Sequence, residues 1–339
     1  ALPIFFGTAT AANYCKRKRV ACAALFTVRF TSSIHSSFSQ EEETHMNVLS
    51  SDAFGKTDIG GRANNEDAFA IHRDNNLLVV ADGMGGHQNG EMASASACQS
   101  LAASATAAAP SFDSTDAAKA WLCQALQDAH QAVVKLNNNE KGLQRMGTTA
   151  TLSLIQGSKL LVAWVGDSRV YRLRGSTLDL VNDDHVVKYE FWRAGQLSND
   201  EWNSYRRGYT SNVITRSLGS AGKLDVDFRE VDIAAGDVIL TCSDGLNNSL
   251  TDDQLIAILS SGKSAQVIVE ELIKAAMAAQ ARDNVTAVVA VIQAVEKSLA
   301  QPEGKPEDKP EDKTADKSAA KTKDKPEDPA SEKVSTVSK

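Results

Sequence analysis

Five aspartates sit at the ends of apolar, strand-like runs that lie far apart in the chain. They are Asp67 in Asn65-Glu66-Asp67, Asp82 in Val79-Val80-Ala81-Asp82-Gly83, Asp167 in Trp164-Val165-Gly166-Asp167-Ser168, Asp244 in Thr241-Cys242-Ser243-Asp244-Gly245 and Asp283 in Arg282-Asp283-Asn284-Val285. Intervals of 15, 85, 77 and 39 residues separate them, so only a folded chain can gather them. A carboxylate at a strand end stands close to buried backbone. If several strand ends meet, their charges repel unless something positive lies between them. Oxygen-only donors suit hard divalent cations, magnesium or manganese, in that role.

The runs that carry these aspartates set the fold class. Leu77–Ala81 reads as a buried strand, and Val285–Ile292, apolar but for Thr286, is a run of the kind found in central strands. Thr149–Ile155, Leu160–Val165, Val170–Leu173 and Leu178–Val181 are short strands with turn-like pieces between them, which suggests an antiparallel meander; Val238–Cys242 is a further strand. Helical spacing marks Glu91–Ala107, a second helix from Ser114 or Thr115 with Ala118, Leu122, Leu126, Ala129 and Val133 on one face, Asp252–Leu259 capped by Thr251, and Ala265–Ala279. Pro110 separates the first two. The order strand, helices, strands, helices, strand fits α+β architecture, antiparallel sheet with helices on its faces. Asp183–Ser211 breaks the pattern and reads as an inserted lobe, holding three of the five tyrosines and two of the four tryptophans.

Composition divides the 339 residues into three. Residues 1–45 carry five basic side chains and three acidic ones, with no acid before Glu41. Lys16-Arg17-Lys18-Arg19 before the apolar Val20–Val28 resembles a targeting segment, but the apolar run is short and Arg29 ends it. The preferred reading takes Met46 as the natural start. Residues 301–339 hold nine lysines, ten acids and Lys-Pro-Glu-Asp repeats at 305–308, 309–312 and 325–328, the composition of a disordered tail. Residues 46–300 are the expected folded domain, with 22 basic and 30 acidic side chains. That balance argues against nucleic-acid binding, which needs a basic face. No run reaches the ~20 apolar residues of a membrane span. Five scattered cysteines without a Cys-x-x-Cys point to reduced thiols and a cytoplasmic location.

Arg62-x-x-x-Glu66-Asp67, Asp82-Gly83-Met84-Gly85-Gly86-His87, Gly147-Thr148-Thr149, Gly166-Asp167-Ser168-Arg169, Ser243-Asp244-Gly245-Leu246 and Asp283-Asn284-Val285-Thr286 occur in this order. The ordered set resembles the metal-dependent type 2C Ser/Thr protein phosphatases in their bacterial form, over about residues 54–292. The resemblance implies a four-layer sandwich, two antiparallel sheets packed face to face with helices on both outer faces. It implies two manganese or magnesium ions between the sheet edges. Asp82 would bridge both, with the Gly83 carbonyl on one; Asp244 and Asp283 would bind the other. Glu66 and Asp67 would hold metal-bound waters or ligate directly, Asp167 would serve a third, weaker metal, and Arg62 would grip the phosphate through its bidentate guanidinium. A bridging hydroxide would attack phosphorus in line, without a phosphoenzyme. Expected partners are phosphorylated proteins, including a bacterial Ser/Thr kinase and its substrates, met by a monomer.

Two departures from the family pattern stand out. Met84 occupies a position where many eukaryotic members have histidine, and a thioether cannot donate a proton, so a metal-bound water is expected to do so. Ser204–Ser211 also fits the family's flap poorly, although Asn212–Gly219 fits its exit. Plainer roles compete with these assignments. Asp82, Asp244 and Asp283 could cap turns, and Arg62 could make a surface ion pair. Asp167 could equally sit in a tight hairpin turn. His87, His130 and His185 read as capping or packing residues, His72 as a half-exposed strand residue, and Trp121 and Trp164 as core. Besides an active phosphatase, the sequence admits a pseudophosphatase that only binds phosphoproteins, or a small-molecule phosphoesterase. The matched carboxylates disfavour the first; Trp192, Trp202 and Tyr205 in the lobe argue for a macromolecular substrate against the second.

Overall fold

Leu77, Val79 and Ala81 point to one side of their strand and Leu78 and Val80 to the other, and both sets are buried. In the computed structural model, which describes residues 49–85, 88–107, 114–139, 146–206 and 213–294, this strand lies inside a layered stack. The expectations for residues 1–45 and 301–339 and for His87 fall outside the described residues.

Two sheets make up the stack. One contains β1 (Leu49–Asp58), β11 (Val285–Ala294), β10 (Val238–Cys242), β7 (Arg169–Arg174) and β8 (Thr177–Leu180), in that order. The other contains β2 (Asp67–His72), β3 (Leu77–Met84), β5 (Ala150–Gln156), β6 (Lys159–Val165) and β9 (Asp227–Asp232), with the two-residue β4 (Gly147–Thr148) beside β3. Every pairing is antiparallel. Helices α1 (Gln88–Ala107) and α2 (Thr115–Asn139) cover the second sheet; α5 (Asp244–Asn247), α6 (Asp252–Leu259) and α7 (Ala265–Ala278) cover the first. Three apolar layers result, one under each helical layer and one between the sheets, where Leu78, Val80, Trp164, Ile239, Val288 and Ile292 meet. The architecture is the α+β four-layer sandwich.

Burial on both faces explains the sequence. A strand covered on one side alternates, whereas β3 and β11 are covered on both and read as continuous apolar runs. Each such Val, Leu or Ile contributes about 1.5–3 kcal/mol on burial. The buried hydroxyls of Ser153 and Thr241 hydrogen-bond to each other at 2.9 Å, joining β5 to β10. Thr251 caps α6 as expected, in a reciprocal capping box with Gln254.

The expected meander is corrected. β5–β6 and β7–β8 are hairpins, but in different sheets, and β6 pairs β9 instead of β7. The chain crosses between sheets at Gly166-Asp167-Ser168, where Gly166 takes a φ of +112° and a Cβ would stand 2.5 Å from the Thr149 side chain. The hairpin-turn reading of Asp167 is thereby excluded.

Candidate active site

The sheets bring one set of strand ends together. Asp67 and Asp82 face each other across the β2–β3 ladder. Asp244 follows β10 at the first position of α5, Asp283 precedes β11, and Asp167 lies in the crossing between sheets. A pocket of about 650 Å³ opens there, and Glu66, Asp82, Asp167, Asp244 and Asp283 all line it, with Arg62, Gly83 and Met84. Asp67 is buried behind that lining.

Backbone and side-chain bonds hold the walls. The Asp82 N–H donates to Thr149 Oγ1 at 2.9 Å, and its carbonyl accepts from the Thr149 N–H at 2.8 Å and from Thr148 Oγ1 at 2.9 Å. Asp67 Oδ2 accepts from Ser243 Oγ and Thr286 Oγ1, each at 2.7 Å. Asn284 ties three segments: its Oδ1 accepts the Glu66 N–H at 2.8 Å, and its Nδ2 donates to the carbonyls of Ile59 at 2.8 Å and Asn64 at 2.9 Å. These supports were not assigned from the sequence. Thr148, Thr149, Ser243, Asn284 and Thr286 all stand in the ordered motifs, which is the local signal that could have marked them.

Charge is the dominant tension in this site. Burial, then the charges of Asp67, Asp244, Asp167 and Asp283, hold the Asp82 carboxyl well above the usual range. Burial and the charges of Asp244 and Asp184 push Asp167 up to about 8. Burial raises Asp67 to about 7 against the Ser243 and Thr286 hydrogen bonds, and burial with the Asp283 charge raises Asp244 to about 6. Arg62 Nη2 meets Asp283 Oδ2 at 2.7 Å in a solvent-exposed ion pair. The plain ion-pair role is thus present at a residue that also lines the pocket.

The family model described as Protein phosphatase 2C matches residues 54–274. The chain belongs to the protein phosphatase 2C family. The serine/threonine phosphatase stp of Listeria welshimeri is 33% identical over 235 residues, 68% of this chain and 92% of that protein. Protein phosphatase PhpP of Streptococcus pneumoniae is 30% identical over 234 residues, 68% of this chain and 93% of its own length. The serine/threonine phosphatase PstP/Ppp of Mycobacterium tuberculosis superposes with a TM-score of 0.61 at 31% identity, covering 73% of this chain and 99% of that one. A catalytic domain of PstP solved with two manganese ions gives a TM-score of 0.61 at 30% identity, covering 72% and 99%.

For a protein phosphatase 2C chain, the donor set here suits hard cations: oxygen donors only, and neighbouring carboxylates that raise one another's pKa and are offset only in part by Arg62. Among the described residues, no three His, Cys, Asp or Glu side chains are arranged to grip an ion as they stand. The fit is therefore one of donor type, charge and strand-end placement, not of closed coordination.

The inserted lobe of this family member consists, among the described residues, of α3 (Val187–Arg193) and α4 (Asn199–Tyr205). Its aromatic rings serve the lobe itself. Trp202 is buried, stacks on Trp192 at 5.6 Å and packs against Tyr189 at 5.4 Å and Tyr205 at 5.9 Å. Trp192 and Tyr205 stay half-exposed at the edge of this cluster. The lobe joins the body through a buried Arg169–Asp184 pair at 2.7 Å and through Asp183, which pairs with Arg206 at 2.6 Å and Arg229 at 2.8 Å. His185 packs and bridges: Nδ1 accepts the Gly166 N–H at 3.1 Å, and Nε2 faces Asp227 at 3.1 Å. His130 accepts the Gly219 N–H at 3.2 Å, and Trp164 is core.

Proposed function

We propose that the chain hydrolyses phosphoserine and phosphothreonine in proteins, with manganese or magnesium as cofactor, and so reverses a bacterial Ser/Thr kinase. The observation that carries this reading is the meeting of Asp82, Asp244 and Asp283 on the wall of one pocket with Arg62. The manganese ions reported in PstP support the choice of metal.

Asp82 and the Gly83 carbonyl, with Asp244 and Asp283, are the groups that would hold two cations, with Glu66 and Asp67 beside them. When bound, such cations supply an activated hydroxide and offset charge on the phosphoryl oxygens. Arg62 holds the phosphate in the bidentate geometry a guanidinium allows, exchanging its Asp283 partner for it. Ser243 and Thr286 keep Asp67 oriented as an acceptor, and Asn284 keeps the Arg62 loop in register with Glu66. The Met84 thioether carries no proton, so it does not protonate the leaving alkoxide. Asp167 is proposed for a third, weaker cation, from its place on the pocket wall.

A monomer in the cytoplasm is proposed alongside. Among the described residues Cys98, Cys123 and Cys242 are free thiols, and no helix is long and apolar enough to cross a membrane. The deciding experiment measures phosphate release from a phosphothreonine peptide with manganese, with EDTA, and in Asp244→Asn. Activity that persists in EDTA or in the variant sinks the metal mechanism. Binding without turnover in manganese would transfer the chain to the pseudophosphatase reading.

A further inference from the structure

Among the residues lining the pocket are two guanidiniums and five carboxylates. Arg62 is tied to Asp283 at 2.7 Å and is the group proposed for the phosphate. Arg282 is exposed and, among the described residues, makes no ion pair. An exposed arginine is ordinarily just solvated surface. This one differs because its backbone is clamped while its head is free. The turn carrying Arg62 is pressed onto it so closely that a Cβ on Gly60 would lie 1.9 Å from the Asp283 carbonyl oxygen, and one on Gly61 3.1 Å from Arg282 Cα. The next residue but one, Asn284, is buried and braced by three hydrogen bonds.

A second observation comes from the same wall. Gln280, which also lines the pocket, ends α7 with a φ of +58°, in the left-handed region where helices usually place glycine. Its N–H reaches the Met277 carbonyl at 3.0 Å and the Ala281 N–H reaches Ala276 at 3.1 Å, which closes the helix. Strain of this kind, kept where glycine would relieve it, clusters at ligand-contacting sites. Here it puts a hydrogen-bonding amide two residues from the free guanidinium.

Resting on the phosphatase reading, we propose that Arg282, assisted by Gln280, recognises an anionic side chain next to the phosphorylated residue of the substrate, a carboxylate or a second phosphate. Arg62 takes the phosphate to be cleaved, and Arg282 takes its neighbour. The preferred substrates are then phosphopeptides with an acidic or phosphorylated flank.

The test compares kcat/KM, with manganese, for phosphothreonine peptides of one core sequence that carry glutamate, phosphoserine, alanine or lysine at flanking positions on either side. The enzymes are the wild type, Arg282→Gln, Arg282→Glu and Gln280→Gly. For an exposed pair, the wild type is expected to favour the glutamate flank over the lysine flank by about two- to fivefold on one side. Phosphoserine should be favoured more, and the ratio should shrink with added salt. Arg282→Gln should abolish the ratio and Arg282→Glu invert it. Because ratios are read, a general loss of turnover does not imitate the result. Gln280→Gly should raise Tm and lower the ratio; a higher Tm with an unchanged ratio removes Gln280 from the proposal. An active wild type whose ratio is the same in both Arg282 variants overturns the inference alone. A wild type that cleaves none of the peptides overturns the phosphatase reading and this inference with it.

Discussion

Replacing Asp244 with asparagine should remove activity and, in the metal-free protein, add stability. Asp244 is raised from an ordinary 3.8 to about 6 by burial and by the Asp283 charge. At 1.36 kcal/mol per unit, ionising it in the fold at pH 8 costs about 3 kcal/mol at most. The side chain lies on a pocket wall open to water, so about 1–2 kcal/mol is the working figure. For a domain of this size that corresponds to a Tm gain of about 2–8 °C. The sign follows from linkage. A carboxyl with a raised folded pKa favours the folded state below 3.8 and loses that advantage as pH rises through 6. The advantage of asparagine should therefore be small at pH 4.5 and full by pH 8. Asparagine retains one oxygen to accept the Asn248 Nδ2 hydrogen, now 3.1 Å from Oδ2, so little structure is lost. The assay is thermal melting in EDTA at pH 4.5, 6 and 8, repeated with manganese. Manganese should reverse the order, because the wild type gains binding energy that the variant has given up. A metal-free variant less stable than the wild type at pH 8, or a difference that ignores pH, would refute the view that the pocket is held together against its own charge.

Other substitutions separate binding from folding. Arg62→Ala should lower kcat/KM by about 10- to 100-fold, the scale of charged hydrogen bonds, yet shift stability by under about 0.5 kcal/mol, since it breaks only an exposed ion pair. Phosphopeptide kinetics and a denaturant melt read the two effects. Asn284→Ala removes the acceptor of the Glu66 N–H and one donor from each of the Ile59 and Asn64 carbonyls, so a loss of about 1–3 kcal/mol is expected in urea unfolding, with a rise in KM as the Arg62 turn loosens. Trp202→Ala removes the centre of the lobe's small core and should cost about 3 kcal/mol there. Hydrogen exchange should rise across residues 187–205 while the sandwich keeps its protection; protection unchanged in the lobe would count against the separate core.

Elements covered on both faces were legible because their sequences are unambiguous. Leu77–Ala81 is apolar throughout, Val238–Cys242 and Val285–Ile292 are apolar but for Thr241 and Thr286, and the three became β3, β10 and β11. Of the edge strands, β8 was legible as Leu178–Val181, whereas β1 and β9 were not. β9, with the sequence Asp-Phe-Arg-Glu-Val-Asp, is half-exposed and its charges hide the strand, and among the described residues β1 pairs with β11 alone. The first helix starts at Gln88, about one turn before the expected Glu91, since propensity fixes helix ends poorly.

What the sequence determined by itself was the chemistry: which carboxylates stand at strand ends, and the ordered motifs that mark the family. These are local patterns of residue type, written wherever a strand stops. Only the tertiary structure decided how they are used. A Gly-Asp-Ser turn has the same local form whether the next strand pairs with the last or crosses to another sheet, and the packing of Gly166 on Thr149 made it a crossing. Asp67 went behind the pocket because two hydroxyls from residues more than 170 positions away hold it there. Asn284 became a brace through partners more than 200 positions distant. Such contacts depend on which strands become neighbours, and burial on both faces of the sheets removes the alternation that would otherwise have announced it.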